Sequence, residues 1–274
     1  VAADDAALAA VEHRVRQRVA RALAGLANQA TASVVAAMRA NPNATGAELV
    51  SDAGVHTALT QALATARAAT SAAVAAGHAA SAKLGTASAR AALREVGHTV
   101  PGGLGADEGL LANIEADLTR AFAGALLDLQ RVITDAVDGV RGTSGAVGAR
   151  TMTVHAAIRR AARRLAVRTS GAASMSVQHG FEDTKAAAWT GYAGVNPYVR
   201  AVKTWQVRGD NPCPACLALD GTTIAIDAQF DRSAGAPARV TAVYRHLFTP
   251  PRHPNCRCRL AYSLASPDQL ASFR

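Results

Sequence analysis

Aromatic residues make up only 4% of this chain, although half of it is hydrophobic. Alanine fills the difference. It favours helix and lets helices approach closely, yet each residue buries little area. The composition excludes a large aromatic core and predicts long helices with thin interfaces, completed by other subunits. Long apolar runs are missing too. No stretch approaches the roughly twenty uncharged apolar residues that a bilayer-spanning helix needs, so no membrane partner is expected. Val1-Ala2-Ala3-Asp4-Asp5 is acidic and lacks the basic-then-apolar order of a signal peptide. Together with cysteines grouped in knuckles, this points to a reducing compartment. HExxH, P-loop and GxSxG signatures are absent, and no carboxylate pair stands out. No enzyme activity is expected.

The charge is unevenly distributed along the chain. Residues 1–154 hold 13 Lys/Arg and 13 Asp/Glu, whereas residues 155–262 hold 15 and 6, a net of +9. Aromatics shift likewise, with Phe122 alone in the front and the other ten from Phe181 onward. The sequence therefore reads as an Ala-rich helical region (1–138), a Gly/Ser-rich linker (139–150), a basic domain (151–262) and a tail (263–274).

Helical periodicity is clear from Asp4 to Arg39, where Val11, Val15, Val19, Leu23 and Leu26 form one stripe. Arg14, Arg18 and Arg21 lie on another face and read as solvated, because this half is neutral as a whole. From Gly46 to Val96 helix is the default, with Gly54, Gly77 and Gly85 as breaks or close crossings. His56, His78 and His98 lack ligand-like company and read as surface or capping residues. Thr99–Gly105 reads as a loop, and Asp107 as the N-cap of a helix with the stripe Leu111, Ile114, Leu118, Phe122, Ala125, Leu129, Ile133 and Val137, ended at Asp138-Gly139. Two separate helices follow, Thr153–Arg168 and Ala172–Trp189. Arg159, Arg160, Arg163 and Arg164 share one face of the first, and Arg168 extends the run. With no acid from His155 to Phe181, a phosphate-contacting face and a solvated basic face both stand.

Arg200–Arg208 alternates like a strand, Leu217–Ile226 reads as a hairpin turning at Asp220-Gly221, and Ala238–Tyr244 and Arg257–Tyr262 as further strands. The fold expected is α+β, predominantly helical, with a small antiparallel sheet near a Cys/His clasp. All four cysteines fall in two clusters, Cys213-Pro-Ala-Cys216 and His253-Pro-Asn-Cys256-Arg-Cys258, with 39 residues between Cys216 and Cys256. Two close pairs that meet in space suit a tetrahedral, structural zinc site. Five candidates, Cys213, Cys216, His253, Cys256 and Cys258, compete for four places, and four-cysteine and three-cysteine-plus-His253 sites both stand. Disulfides are the alternative, although bridges within either cluster would close loops too small to stabilise much.

The run Lys203-x-Trp205 … Asp210-x-x-Cys213-x-x-Cys216-x-x-Leu219-Asp220-Gly221 … Phe230 … Pro250-Pro251-x-His253-Pro254-Asn255-Cys256-Arg257-Cys258-x-Leu260 resembles the C-terminal domain of MuF-type phage minor head proteins. Ala166-Val167-Arg168-Thr169 resembles the family's ARTE segment, with Ser170 where the family carries Glu. The likeness covers about residues 155–262. It implies a minor capsid protein of a tailed phage, present in the virion near the portal at low copy. Its expected partners are the portal or major capsid protein and double-stranded DNA. A zinc-stapled nucleic-acid-binding or processing protein is the alternative function. It would need a converging set among Asp210, Asp220, Asp227 and Asp231.

Overall fold

The computed structural model describes residues 2–98, 108–140, 147–196, 199–209, 212–231, 234, 248–251 and 256–265. The Thr99–Gly105 loop, the Asp107 cap, the Ala238–Tyr244 strand, His253, Asp210 and most of the tail lie outside them. Among the described residues the architecture is predominantly helical, with one three-stranded antiparallel sheet. The helices are α1 (Ala2–Ala40), α2 (Gly46–Ser51), α3 (Ala53–Glu95), α4 (Glu108–Ala123), α5 (Ala125–Asp138), α6 (Val147–Val195) and the short α7 (Pro214–Leu217). The strands are β1 (Arg200–Gln206), β2 (Thr223–Ala225) and β3 (Arg259–Ala265), in the order β2-β1-β3.

Composition placed one boundary at 139–150. The fold instead divides into two compact units that are discontinuous in sequence. One comprises Val1–His13, Ala75–Leu110 and Ala173–Arg274, and the other Arg14–Val74 and Leu111–Ala172. The first is called here the sheet unit and the second the helical unit.

In the helical unit the periodic stripes form the core. Val15, Val19, Leu23 and Leu26 of α1 are buried, as are Ile114, Leu118, Phe122, Ala125, Leu129, Ile133 and Val137 of α4 and α5. The single helix expected there is interrupted at Gly124, but the stripe continues through the break because the helix resumes in phase. Short α2 is held at its N-terminus twice. Thr45 and Glu48 form a capping box, and the Asp138 carboxylate accepts the Gly46 N–H at 2.8 Å.

The two helices expected between Thr153 and Trp189 are one, α6, which begins at Val147 inside the expected linker. A glycine in a helix interior costs only about 1 kcal/mol. Gly171 lies between fully buried Thr169 and Ala173, so packing on both sides carries the helix through. Similarly, α3 runs unbroken past Gly77 and Gly85.

The sheet unit packs one face of the sheet against α6. Cross-strand partners Ala201–Leu264, Lys203–Tyr262 and Trp205–Leu260 share that face. Trp189 of α6 stacks on Tyr262 with ring centroids 5.9 Å apart. The expected Leu217–Ile226 hairpin is replaced by α7, a turn and β2, which pairs with β1. Gly221 does take the positive φ (+74°) that the turn reading requires, and Asp220 serves the turn by accepting the Val207 N–H at 2.8 Å. His78, expected at the surface, is buried, with Nδ1 3.1 Å from the Ser176 carbonyl.

Gly85 is a close crossing. A Cβ there would collide with the Phe181 carbonyl oxygen and the Thr184 hydroxyl. Gly85→Ala should lower stability by about 1–3 kcal/mol in denaturant unfolding, despite the better helix propensity of alanine. Gly25→Ala, where a Cβ meets open space, should leave stability unchanged or raise it by up to about 1 kcal/mol.

Lys203, at the centre of β1, is only 1% exposed. Its ammonium lies 5.6 Å from the Phe230 ring centre and 5.3 Å from that of Phe248. Burial pushes its pKa down to about 8, partly offset by Asp227 and Asp183. Between pH 8 and about 10.5 the unfolded chain therefore binds more protons than the folded one, and stability rises with pH across that window. Lys203→Met should be more stable than the wild type at pH 7 by on the order of 1–3 kcal/mol. The difference should shrink as pH rises from 8 to 10.5, read by denaturant titrations across that range.

Candidate functional site

Cys213 caps the N-terminus of α7, and Pro214 opens that helix with a φ already suited to it. This tight turn brings the Cys216 N–H to 3.3 Å from Cys213 Sγ. Two backbone bonds tie the knuckle to β1: Trp205 N–H to the Thr222 carbonyl and Gly221 N–H to the Trp205 carbonyl, both 2.9 Å. Cys256 and Cys258 arrive just before β3, both buried, with Arg257 between them turned outward.

The sulfurs of Cys216, Cys256 and Cys258 all lie within 4.8 Å of one another. Cys216 Sγ and Cys256 Sγ are 3.8 Å apart, and no disulfide joins any of the four cysteines. A disulfide needs about 2.05 Å, so none of the four is bridged. Four thiolates at about 2.3 Å around a tetrahedral ion stand about 3.8 Å from one another, the separation observed between Cys216 and Cys256. Three buried cysteines are thus placed to bind a metal ion. Cys213, half-buried at the mouth of the knuckle, does not join the group of three, and His253 lies outside the described residues.

Without a cation these thiols resist ionising. Contact with Cys256, then Cys258, then burial push Cys216 far above the usual thiol range. Cys258 is favoured as thiolate by its contact with Cys216. Cys256 and burial outweigh that and push it up to about 12. A bound cation would remove this mutual repulsion and release the protons. The surrounding shell is apolar: Trp205, Leu219, Phe230 and Leu260 pack with the three sulfurs. The Trp205 indole N–H is buried and, among the described residues, makes no well-formed hydrogen bond. Trp205 pairs across the sheet with Leu260, two residues beyond Cys258, and it favours the ionised form of Cys258. An orphaned donor beside a sulfur fits a site that holds thiolates.

No family model, curated protein or solved structure matches this chain.

Residues remote in sequence support the cysteines. Gln178 of α6, itself buried, donates to the Cys258 carbonyl at 2.6 Å. Fully buried Glu182 accepts the Leu260 N–H at 3.3 Å and stands 3.8 Å from Arg259. Burial raises its pKa above the ordinary carboxylate value, while Lys185 and Arg259 oppose the rise. From the N-terminal turns of α1, Glu12 pairs with Arg257 at 2.9 Å and Asp5 with Arg259 at 3.2 Å. No local signal marked these residues in the sequence, since each acts across 78 or more positions.

Arg159, Arg160, Arg163, Arg164 and Arg168 are all exposed on α6, as the spacing predicts. They belong to the helical unit, whereas the cysteines belong to the sheet unit. Arg168 reaches Asp128 of α5 at 3.7 Å. Arg160 and Arg164 line a groove with Asp135, and among the described residues neither they nor Arg159 and Arg163 form an ion pair.

Loss of the orphaned donor should weaken metal binding. Trp205→Phe should lower affinity for zinc or cobalt about 10- to 100-fold, measured by competition with a chromophoric chelator. Trp189→Phe, in a separate core cluster, should leave it unchanged.

Proposed function

We propose that this protein is a minor head protein of MuF type. It would act in the virion near the portal during head assembly, with a structural zinc clasp and a basic surface that contacts packaged duplex DNA. The observation that carries the reading is the paired signature, C-x2-C followed by HPNCRC. Three of its cysteines meet in a buried cluster with the spacing of metal ligands.

The zinc assignment rests on thiolate ligands and tetrahedral spacing. With Cys213 or His253 as fourth ligand the ion would be enclosed by protein and closed to substrate, so its role is structural. It would close the base of the excursion between Cys216 and Cys256. The basic surface is that of the exposed α6 arginines, which belong to the helical unit and not to the unit of the clasp. No helix is long and apolar enough to cross a membrane among the described residues.

The alternative, a zinc-stapled protein that processes nucleic acid, needs acids that converge. Among the described residues, only the cysteines form a converging group of potential ligands, and Asp220 is engaged by Val207. The capsid reading therefore has the better support.

Metal analysis with thiol counting tests the clasp. Purified protein should carry one zinc per chain and yield four alkylatable thiols after its removal. Metal-free protein lighter by two hydrogen pairs would replace the clasp with disulfides. An antibody to the chain should detect it in purified phage particles at low copy, and its confinement to particle-free fractions would overturn the virion reading. Filter binding to duplex DNA should weaken steeply with salt. Binding that ignores salt, or no binding, would remove the DNA clause.

A further inference from the structure

Charge counted along the chain and charge counted in the fold give different answers. The helical unit, Arg14–Val74 with Leu111–Ala172, holds 15 basic and 7 acidic residues, a net of +8. The sheet unit holds 14 and 13, a net of +1. Nearly the whole excess therefore sits in the unit without the cysteines. The neutrality of residues 1–154 arose from acids such as Asp4, Asp5, Glu12 and Glu95, which the fold assigns to the sheet unit.

Within the helical unit most acids are already occupied. Glu48 and Asp52 cap helix starts, Asp138 holds the Gly46 N–H, Asp117 pairs with Arg120, and Asp128 pairs with Arg131 and Arg168. Arg14, Arg18 and Arg21 are exposed, and none of them forms an ion pair among the described residues. They recur at i, i+4 and i+7, along one face of α1. Within this unit α1 and α6 run antiparallel: Arg150 donates to the Pro42 carbonyl at 3.1 Å, and Leu26 shares a hollow with Ala161, Ala162 and Leu165. Arg18 and Arg21 thus lie level with the Arg168 end of the α6 row. Packed helix axes are about 8–10 Å apart, so the two rows stand on neighbouring helices of the unit that carries the positive excess. Every basic residue of this unit is arginine, whose planar fork suits phosphate oxygens. Regular rows of such forks suit a regular row of phosphates better than an irregular acidic protein surface.

We propose that the helical unit is the module that binds duplex nucleic acid, and that Arg14, Arg18 and Arg21 of α1 contact phosphate together with the α6 arginines. This rests on the reading that the chain contacts DNA and adds where it does so. Sequence averaging had set the α1 arginines aside as a solvated face, and the fold removes the ground for that.

The test uses the full-length, metal-loaded protein and a 30-base-pair duplex of mixed sequence across a salt series. Arg14→Gln/Arg18→Gln/Arg21→Gln should flatten the slope of log affinity against log salt by about 0.9 for each phosphate no longer neutralised, and weaken binding at least tenfold at low salt. Because these side chains are exposed, circular dichroism and zinc content should be unchanged, and the triple Arg→Lys variant should keep the wild-type slope. A triple Gln variant with wild-type slope, alongside loss on Arg159→Gln/Arg163→Gln/Arg164→Gln, would overturn the inference and spare the DNA reading. Wild-type protein without salt-sensitive duplex binding would overturn both. Tighter binding to polyglutamate than to duplex would assign the face to an acidic protein and likewise overturn the proposal.

Discussion

The approach of Cys216 to Cys256 and Cys258 is the contact on which the sheet unit depends. It joins the two ends of a 39-residue excursion that has little regular structure of its own among the described residues. Three buried thiols held this close are a poor arrangement by themselves, because each opposes ionisation of the others. They become a good one around a cation. The apolar shell, the orphaned Trp205 N–H and the Gln178 bond to the Cys258 carbonyl all suit that second state. The chain thus gathers long-range contacts around a buried cysteine cluster placed to hold a metal ion.

A second constraint comes from alanine. Helices rich in small residues bury little area per turn, so their pairing relies on length and close approach. The helices α1, α3 and α6 each run for 39 residues or more. At Gly85 the backbones come so near that no side chain fits between them. Polar groups then become registration devices inside the sheet unit. Thr184 bonds to the Ala82 carbonyl, Ser174 to Glu12, and Ser88 to Asp4. Each such bond costs little when made and much when left unmade in the interior, so it selects one register among many similar alanine faces.

Electrostatics follows from the same helices. Acids near the start of α1 serve Arg257, Arg259 and Ser88 within the sheet unit. What remains further along α1 is a row of arginines with few acids near them in sequence. A boundary drawn from composition cannot see this, because one helix contributes oppositely charged segments to different units.

Much of the fold was legible in the sequence. The stripes of α1, α4 and α5, strand β1 and the outward face of the α6 arginines follow from local periodicity, which is set by backbone geometry that tertiary context rarely reverses. The meeting of Cys216 with Cys256 and Cys258 was legible from their clustering, whereas Cys213, which the same spacing put forward, does not join them. Whether Gly124 or Gly171 would break a helix was not legible, because the difference is about 1 kcal/mol and neighbouring packing decides it. The pairing of β2 with β1 was hidden too, since Asp220-Gly221 makes a turn in either topology. Only the tertiary structure chose Trp205, Gln178 and Glu182 as the surroundings of the cysteines and divided the charge between two units. Those choices depend on contacts between residues far apart in the chain, and no local pattern encodes them.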